Sequence, residues 1–124
     1  MKIRVLLVDD EKDFLEIMAE RMRARGIEVW TTTSAAKALK LVEKNAFAAV
    51  IMDLLMPEMD GFKALKLIKA VKPEVQIIFL TGNVPAEKCI EAIRLGALTV
   101  IEKPADIEAL IGIINNLKAP ETNL

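Results

Sequence analysis

Five side chains able to do chemistry each follow an apolar run. Asp9 and Asp10 come after Ile3 to Val8, Asp53 after Phe47 to Met52, Thr81 after Val75 to Leu80, and Lys103 shortly after Leu98 to Ile101. Three carboxylates gathered at one edge repel: at about 5 Å and an effective dielectric of about 20, each pair costs roughly 3 kcal/mol. Lys103 supplies one compensating charge. A small hard dication held by carboxylate, carbonyl and water oxygens supplies the rest, and Mg²⁺ fits that donor set best. A carboxylate beside such a cation can attack a phosphoryl group and become an acyl phosphate, because the metal offsets the repulsion between two anions. A lysine ammonium and a threonine hydroxyl then suit the phosphoryl oxygens. Each residue alone has a more ordinary reading: Asp53 as a turn former, Asp10 or Thr81 as a helix cap, Lys103 as a solvated surface charge. Four separate units delivering such residues to one rim favour the chemistry.

The elements that must position them follow from periodicity. Ile3 to Val8 is a nearly continuous apolar run, which fits a strand covered on both faces. From Lys12 the apolar spacing becomes three and four, through Phe14, Leu15, Ile17, Met18 and Met22, and Gly26 stops that helix. Ile27 to Thr32 reads as a polar edge strand carrying Trp30, and Thr33 or Ser34 can cap a helix over Ala36, Leu39, Leu41 and Val42. Phe47 to Met52 is the third strand. Asp60-Gly61 opens a helix over Phe62, Leu65, Leu67, Ile68 and Val71 that must stop near Lys72-Pro73. Val75 to Leu80 is the fourth strand, and Pro85 suits the first turn of a helix running to Gly96. Leu98 to Ile101 is a short fifth strand, followed by a helix from about Asp106 to Leu117. Five strand-helix units with short connections predict an α/β doubly wound parallel sheet with helices on both faces, because parallel neighbours need right-handed crossovers.

Composition narrows the function. A chain of 124 residues, 53% hydrophobic and 28% charged, has the size and make-up of one globular domain. A formal net charge of -1 gives no electrostatic reason to expect nucleic acid or an anionic membrane as a direct partner. One cysteine cannot form an internal disulfide, and the lack of histidine removes imidazole metal sites and histidine-based triads. Acidic residues arrive too early for a signal peptide and no run of about 18 apolar residues exists, so the expected compartment is cytoplasmic.

The motifs Val8-Asp9-Asp10-Glu11, Asp53-Leu54-Leu55-Met56-Pro57-Glu58-Met59-Asp60-Gly61, Thr81-Gly82 and Lys103-Pro104 together resemble the receiver domain of two-component response regulators. The resemblance covers residues 1–118, leaving 119–124 as a tail or the start of a linker. It implies a flavodoxin-like (βα)5 fold in three layers, with a five-stranded sheet of order 2-1-3-4-5. It implies that Asp53 accepts a phosphoryl group from the phosphohistidine of a sensor histidine kinase or phosphotransfer protein. Asp10, Asp53 and the backbone carbonyl of Leu55 would hold Mg²⁺, with Asp9 reaching it through water. Thr81 and Lys103 would bind the phosphoryl oxygens, and the Lys103-Pro104 bond is often cis in such proteins. The product is a signalling switch with slow self-hydrolysis, not an enzyme turning over a metabolite. Its output passes to a downstream domain or effector through the fourth helix, fifth strand and fifth helix, a surface that also allows a homodimer.

One departure stands out. Receivers commonly carry an aromatic three residues before the lysine, where this chain has Val100. Signalling is therefore expected to depend on Thr81 and the following loop biasing the helix from Pro85 to Leu95. Gly82 leaves the phosphoryl group open to water, while Leu55 offers nothing polar to orient that water. Trp30 reads as a packing residue and the methionines as core filler. Two other functions remain open: an interaction module independent of phosphorylation, and an aspartyl-phosphate phosphatase. The latter would want an acid where Leu55 stands.

Overall fold

The computed structural model describes residues 2–56, 59–82, 84–103 and 106–117. Strands and helices alternate strictly: β1 (Arg4–Val8), α1 (Lys12–Ala24), β2 (Glu28–Thr32), α2 (Ala35–Lys44), β3 (Ala49–Met52), α3 (Gly61–Val71), β4 (Gln76–Thr81), α4 (Ala86–Arg94), β5 (Thr99–Glu102) and α5 (Ile107–Asn115). All four strand pairings are parallel, in the order β2-β1-β3-β4-β5. The expected doubly wound sheet is therefore present, with the polar second strand at one edge.

The period of two along each strand sorts the core into two clusters. Val5 and Leu7 of β1 face α1 and α5, packing with Leu15, Met18, Met22, Leu110 and Ile114. Leu6 and Val8 face the other way, toward α2, α3 and α4, with Val42, Leu65, Ile68 and Phe79. Because both sheet faces are covered, β1, β3 and β4 read as apolar runs instead of alternating patterns.

Local signals set the helix ends. The Ser34 hydroxyl caps α2 by accepting from the Lys37 N–H, and Asp60 and Asp106 cap α3 and α5 in the same way. Gly26 and Gly96 end α1 and α4 with φ of 87° and 119°. In each, the glycine N–H reaches back three residues and the next N–H five, closing a Schellman motif that takes up the last carbonyls. Trp30 packs edge-to-face on Phe47, with centroids 5.5 Å apart, and donates its indole N–H to Glu28, which supports the packing role.

Candidate functional site

The carboxyl ends of β1, β3, β4 and β5 lie side by side, and the residues after them converge. Asp53 stands one residue past β3, and three donors hold its carboxylate. Oδ1 accepts from the Leu55 N–H at 2.9 Å and from the Thr81 hydroxyl at 2.9 Å, while Oδ2 accepts from Lys103 Nζ at 3.1 Å. The Leu55 contact is an Asx-type turn, so Asp53 is a turn former as well as a member of the cluster. Thr81 is the last residue of β4 and is buried. Lys103 follows β5, held there by its own N–H bonding to the Thr81 carbonyl at 2.7 Å.

Asp9 is buried, accepts from the Glu11 N–H at 2.9 Å and ion-pairs with Lys103 at 2.8 Å. Asp10 is exposed, and its carboxylate meets no hydrogen-bond donor among the described residues. One oxygen from each of Asp9, Asp10 and Asp53 lies within 4.8 Å of the others. Neither capping alternative is realised: α1 begins after Glu11 and α4 after Pro85, without Asp10 or Thr81 serving as caps. The expected set Asp9, Asp10, Asp53, Thr81 and Lys103 is thus brought together. The Lys103-Pro104 peptide lies outside the described residues.

Two neighbours escaped the sequence reading. Glu11 gives Lys103 a third carboxylate at 3.1 Å. Phe14, read only as part of an apolar helix stripe, places its ring 4.4 Å from Lys103 Nζ, within cation-π range. Both lie in the first turns after β1, where a charge following two aspartates, or an aromatic at helical spacing, has a simpler explanation.

The electrostatics follow from this arrangement. Burial pulls the Lys103 ammonium toward neutrality, but hydrogen bonds to Asp9, Glu11 and Asp53 outweigh it and raise its pKa. Burial raises the Asp9 pKa, and the Lys103 contact and Glu11 N–H offset this only in part. One ammonium cannot balance four carboxylates. The all-oxygen donors and the unpartnered Asp10 carboxylate suit a small hard dication.

The family model for the response regulator receiver domain matches residues 5–115. The chain belongs to this family. Among its relatives, the response regulator SaeR of Staphylococcus epidermidis is 36% identical over 115 residues, which is 93% of this chain and 50% of SaeR. SaeR of Staphylococcus aureus is 34% identical over 113 residues, 91% of this chain and 49% of that protein. The chain spans about half the length of these curated relatives. Of solved structures, a response regulator receiver domain from Clostridium thermocellum superposes with a TM-score of 0.87 at 31% identity, covering 92% of each chain. The Vibrio cholerae chemotaxis protein CheY4 gives 0.87 at 28% identity, covering 95% of this receiver and 100% of that chain. The flavodoxin-like order implied by the motifs is the order found. Among the described residues no helix of the receiver is long and apolar enough to cross a membrane.

Proposed function

We propose that this receiver domain is a phosphorylation-controlled switch in which Asp53 is the phosphoacceptor. The observation that carries the reading is the Asp53 carboxylate, held by Thr81 and Lys103 within reach of Asp9 and Asp10. A carboxylate oxygen of Asp53 attacks the phosphorus of a phosphohistidine on a partner kinase or phosphotransfer protein. The P–N bond breaks, its electron pair leaves with the imidazole, which takes a proton from solvent, and an acyl phosphate remains on Asp53. Asp10, Asp53 and the Leu55 carbonyl would hold Mg²⁺, with Asp9 supporting it through water. The ion, when bound, neutralises the two approaching anions. Lys103 pairs with the phosphoryl oxygens as a point charge, and Thr81 donates its hydroxyl to them in place of Asp53.

The exchange at Thr81 links chemistry to signal. Its hydroxyl now bonds to Asp53 Oδ1, and moving it to a phosphoryl oxygen displaces the end of β4 and the loop leading to α4. A two-state equilibrium of α4 is biased by that shift, with an output domain or effector reading the surface of α4, β5 and α5. Residues 1–118 serve as the receiver module, with 119–124 as a C-terminal tail or the start of a linker.

Incubation with acetyl phosphate and Mg²⁺, followed by intact-mass measurement, tests the acceptor. One labile phosphoryl adduct is expected, absent from Asp53→Asn. An adduct that persists in Asp53→Asn would sink the assignment. Thr81→Ala is expected to form the adduct yet lose phosphorylation-dependent partner binding.

A further inference from the structure

The sheet has an open edge away from the phosphoacceptor, at β2. The Glu28 N–H bonds to the Ile3 carbonyl at 3.0 Å and the Thr32 carbonyl accepts from the Asp9 N–H at 3.2 Å. Residues 28, 30 and 32 therefore turn their main-chain groups toward β1, and residues 29 and 31 turn theirs outward. The outward carbonyl of Val29 is occupied by the Arg23 guanidinium, whose Nη2 lies at 2.6 Å. Past this plug, the main chain of Thr31 has no partner among the described residues.

Beside Thr31 runs an open groove of about 510 Å³ between α1 and α2. Its α2 wall carries Lys37, Lys40 and Lys44, spaced three and four apart on one helical face, and its α1 wall carries Lys12 and Glu16. All four lysines are exposed, and none forms an ion pair among the described residues. Four cations against one anion, in a chain of net charge -1, make this a concentrated positive surface.

We propose that the groove docks an extended acidic segment of a partner protein, which adds a strand to β2 through the outward N–H and C=O of Thr31. Alternate side chains of an added strand point to opposite faces, about 7 Å apart on each face. Acids on one face would meet the Lys37, Lys40 and Lys44 row, which spans about 10 Å along α2, and those on the other would meet Lys12. Open backbone groups give such a segment affinity and the flanking charges give it selectivity. Nucleic acid fits less well, since the walls offer no aromatic on which a base could stack. This surface is separate from Asp53, so its failure would leave the phosphoacceptor reading intact.

The test uses the full chain and a fluorescein-labelled octapeptide alternating threonine and glutamate. Controls are the same peptide with proline replacing threonine, which removes every second backbone N–H and disfavours a paired strand, and an oligothymidylate of equal charge. Saturable anisotropy binding is expected, at least tenfold weaker for the proline peptide and for the Lys40→Glu, Lys44→Glu double variant. Circular dichroism checks that this exposed-site variant keeps its fold. Amide exchange at Thr31 is expected to slow when the octapeptide is bound. Absence of saturable binding overturns the proposal. Equal binding of the proline peptide, unchanged Thr31 exchange, or tighter binding of oligothymidylate overturns it too, since each would mean a charge-only or nucleic-acid surface.

Discussion

The two sides of the rim are built to different standards. On the Asp53 side, every residue of β3 and four of five in β1 are buried, and α1 and α3 each bury four residues. On the far side, β5 has three half-buried residues and one exposed, and α4 buries only Ala92. Ile90 and Ile93 of α4 and Leu98 after it stand 58%, 48% and 42% exposed. Yet the site draws on both sides: Asp9 and Asp53 come from the packed one, while Lys103 follows β5 and Thr81 ends β4 where it pairs with β5. Asp53 follows a strand buried throughout, whereas Thr81 and Lys103 tie it to β5 and α4, which bury far less. The proposed bias of α4 by Asp53 needs such a difference, since sparsely buried elements open at lower free energy than a packed core.

The largest expected contrast is in core truncation. Leu6 is fully buried in β1, so Leu6→Ala should cost about 3–5 kcal/mol in urea unfolding, while Ile101→Ala in β5 should cost about 1–2. Equal losses would erase the difference between the sides. Glycines sharpen the same contrast. A Cβ on Gly61 would lie 2.6 Å from the Leu54 carbonyl oxygen and 2.9 Å from Leu54 Cα, but one on Gly82 meets nothing within 4 Å. Gly61→Ala is expected to cost about 2–3 kcal/mol, and Gly82→Ala to leave the unfolding midpoint nearly unmoved.

The packed side is also the side most legible in the sequence. Strands covered on both faces must be apolar throughout, so Val5 to Val8 and Ala49 to Met52 announce themselves, and Asp9 and Asp53 mark where those runs end. The strand order was implied by the motif resemblance, since alternation of elements fixes parallel pairing but not which strands are neighbours. Glu11 and Phe14 were missed because their roles depend on Lys103, ninety residues away in sequence, arriving over the start of α1. The lysine row of α2 has the same character: its spacing is visible, but only the fold places Lys12 and an open strand edge beside it.

A smaller effect concerns Lys103 itself. Its pKa is raised by the three carboxylates, so it favours the folded state fully below its ordinary value of about 10.5. That contribution is lost as pH climbs above this value, where the unfolded chain gives up the proton first. Stability should fall in this alkaline window, and less steeply in Lys103→Met when the two are compared by thermal melts. Phe14→Leu removes the ring over the ammonium but keeps the apolar contact, and should cost about 1 kcal/mol.

Among the side-chain truncations, a small effect is expected at Ile93. Nearly half exposed on a helix with a single buried residue, it has only about half its apolar area to lose, so Ile93→Ser should cost no more than about 1 kcal/mol. Partner binding to the phosphorylated receiver should nonetheless weaken, because the side chain belongs to the surface proposed to carry the signal. A stability loss above about 1 kcal/mol would mean that α4 is packed as firmly as α3. The low-stability element through which Thr81 is proposed to act would then have to be sought elsewhere in the fold.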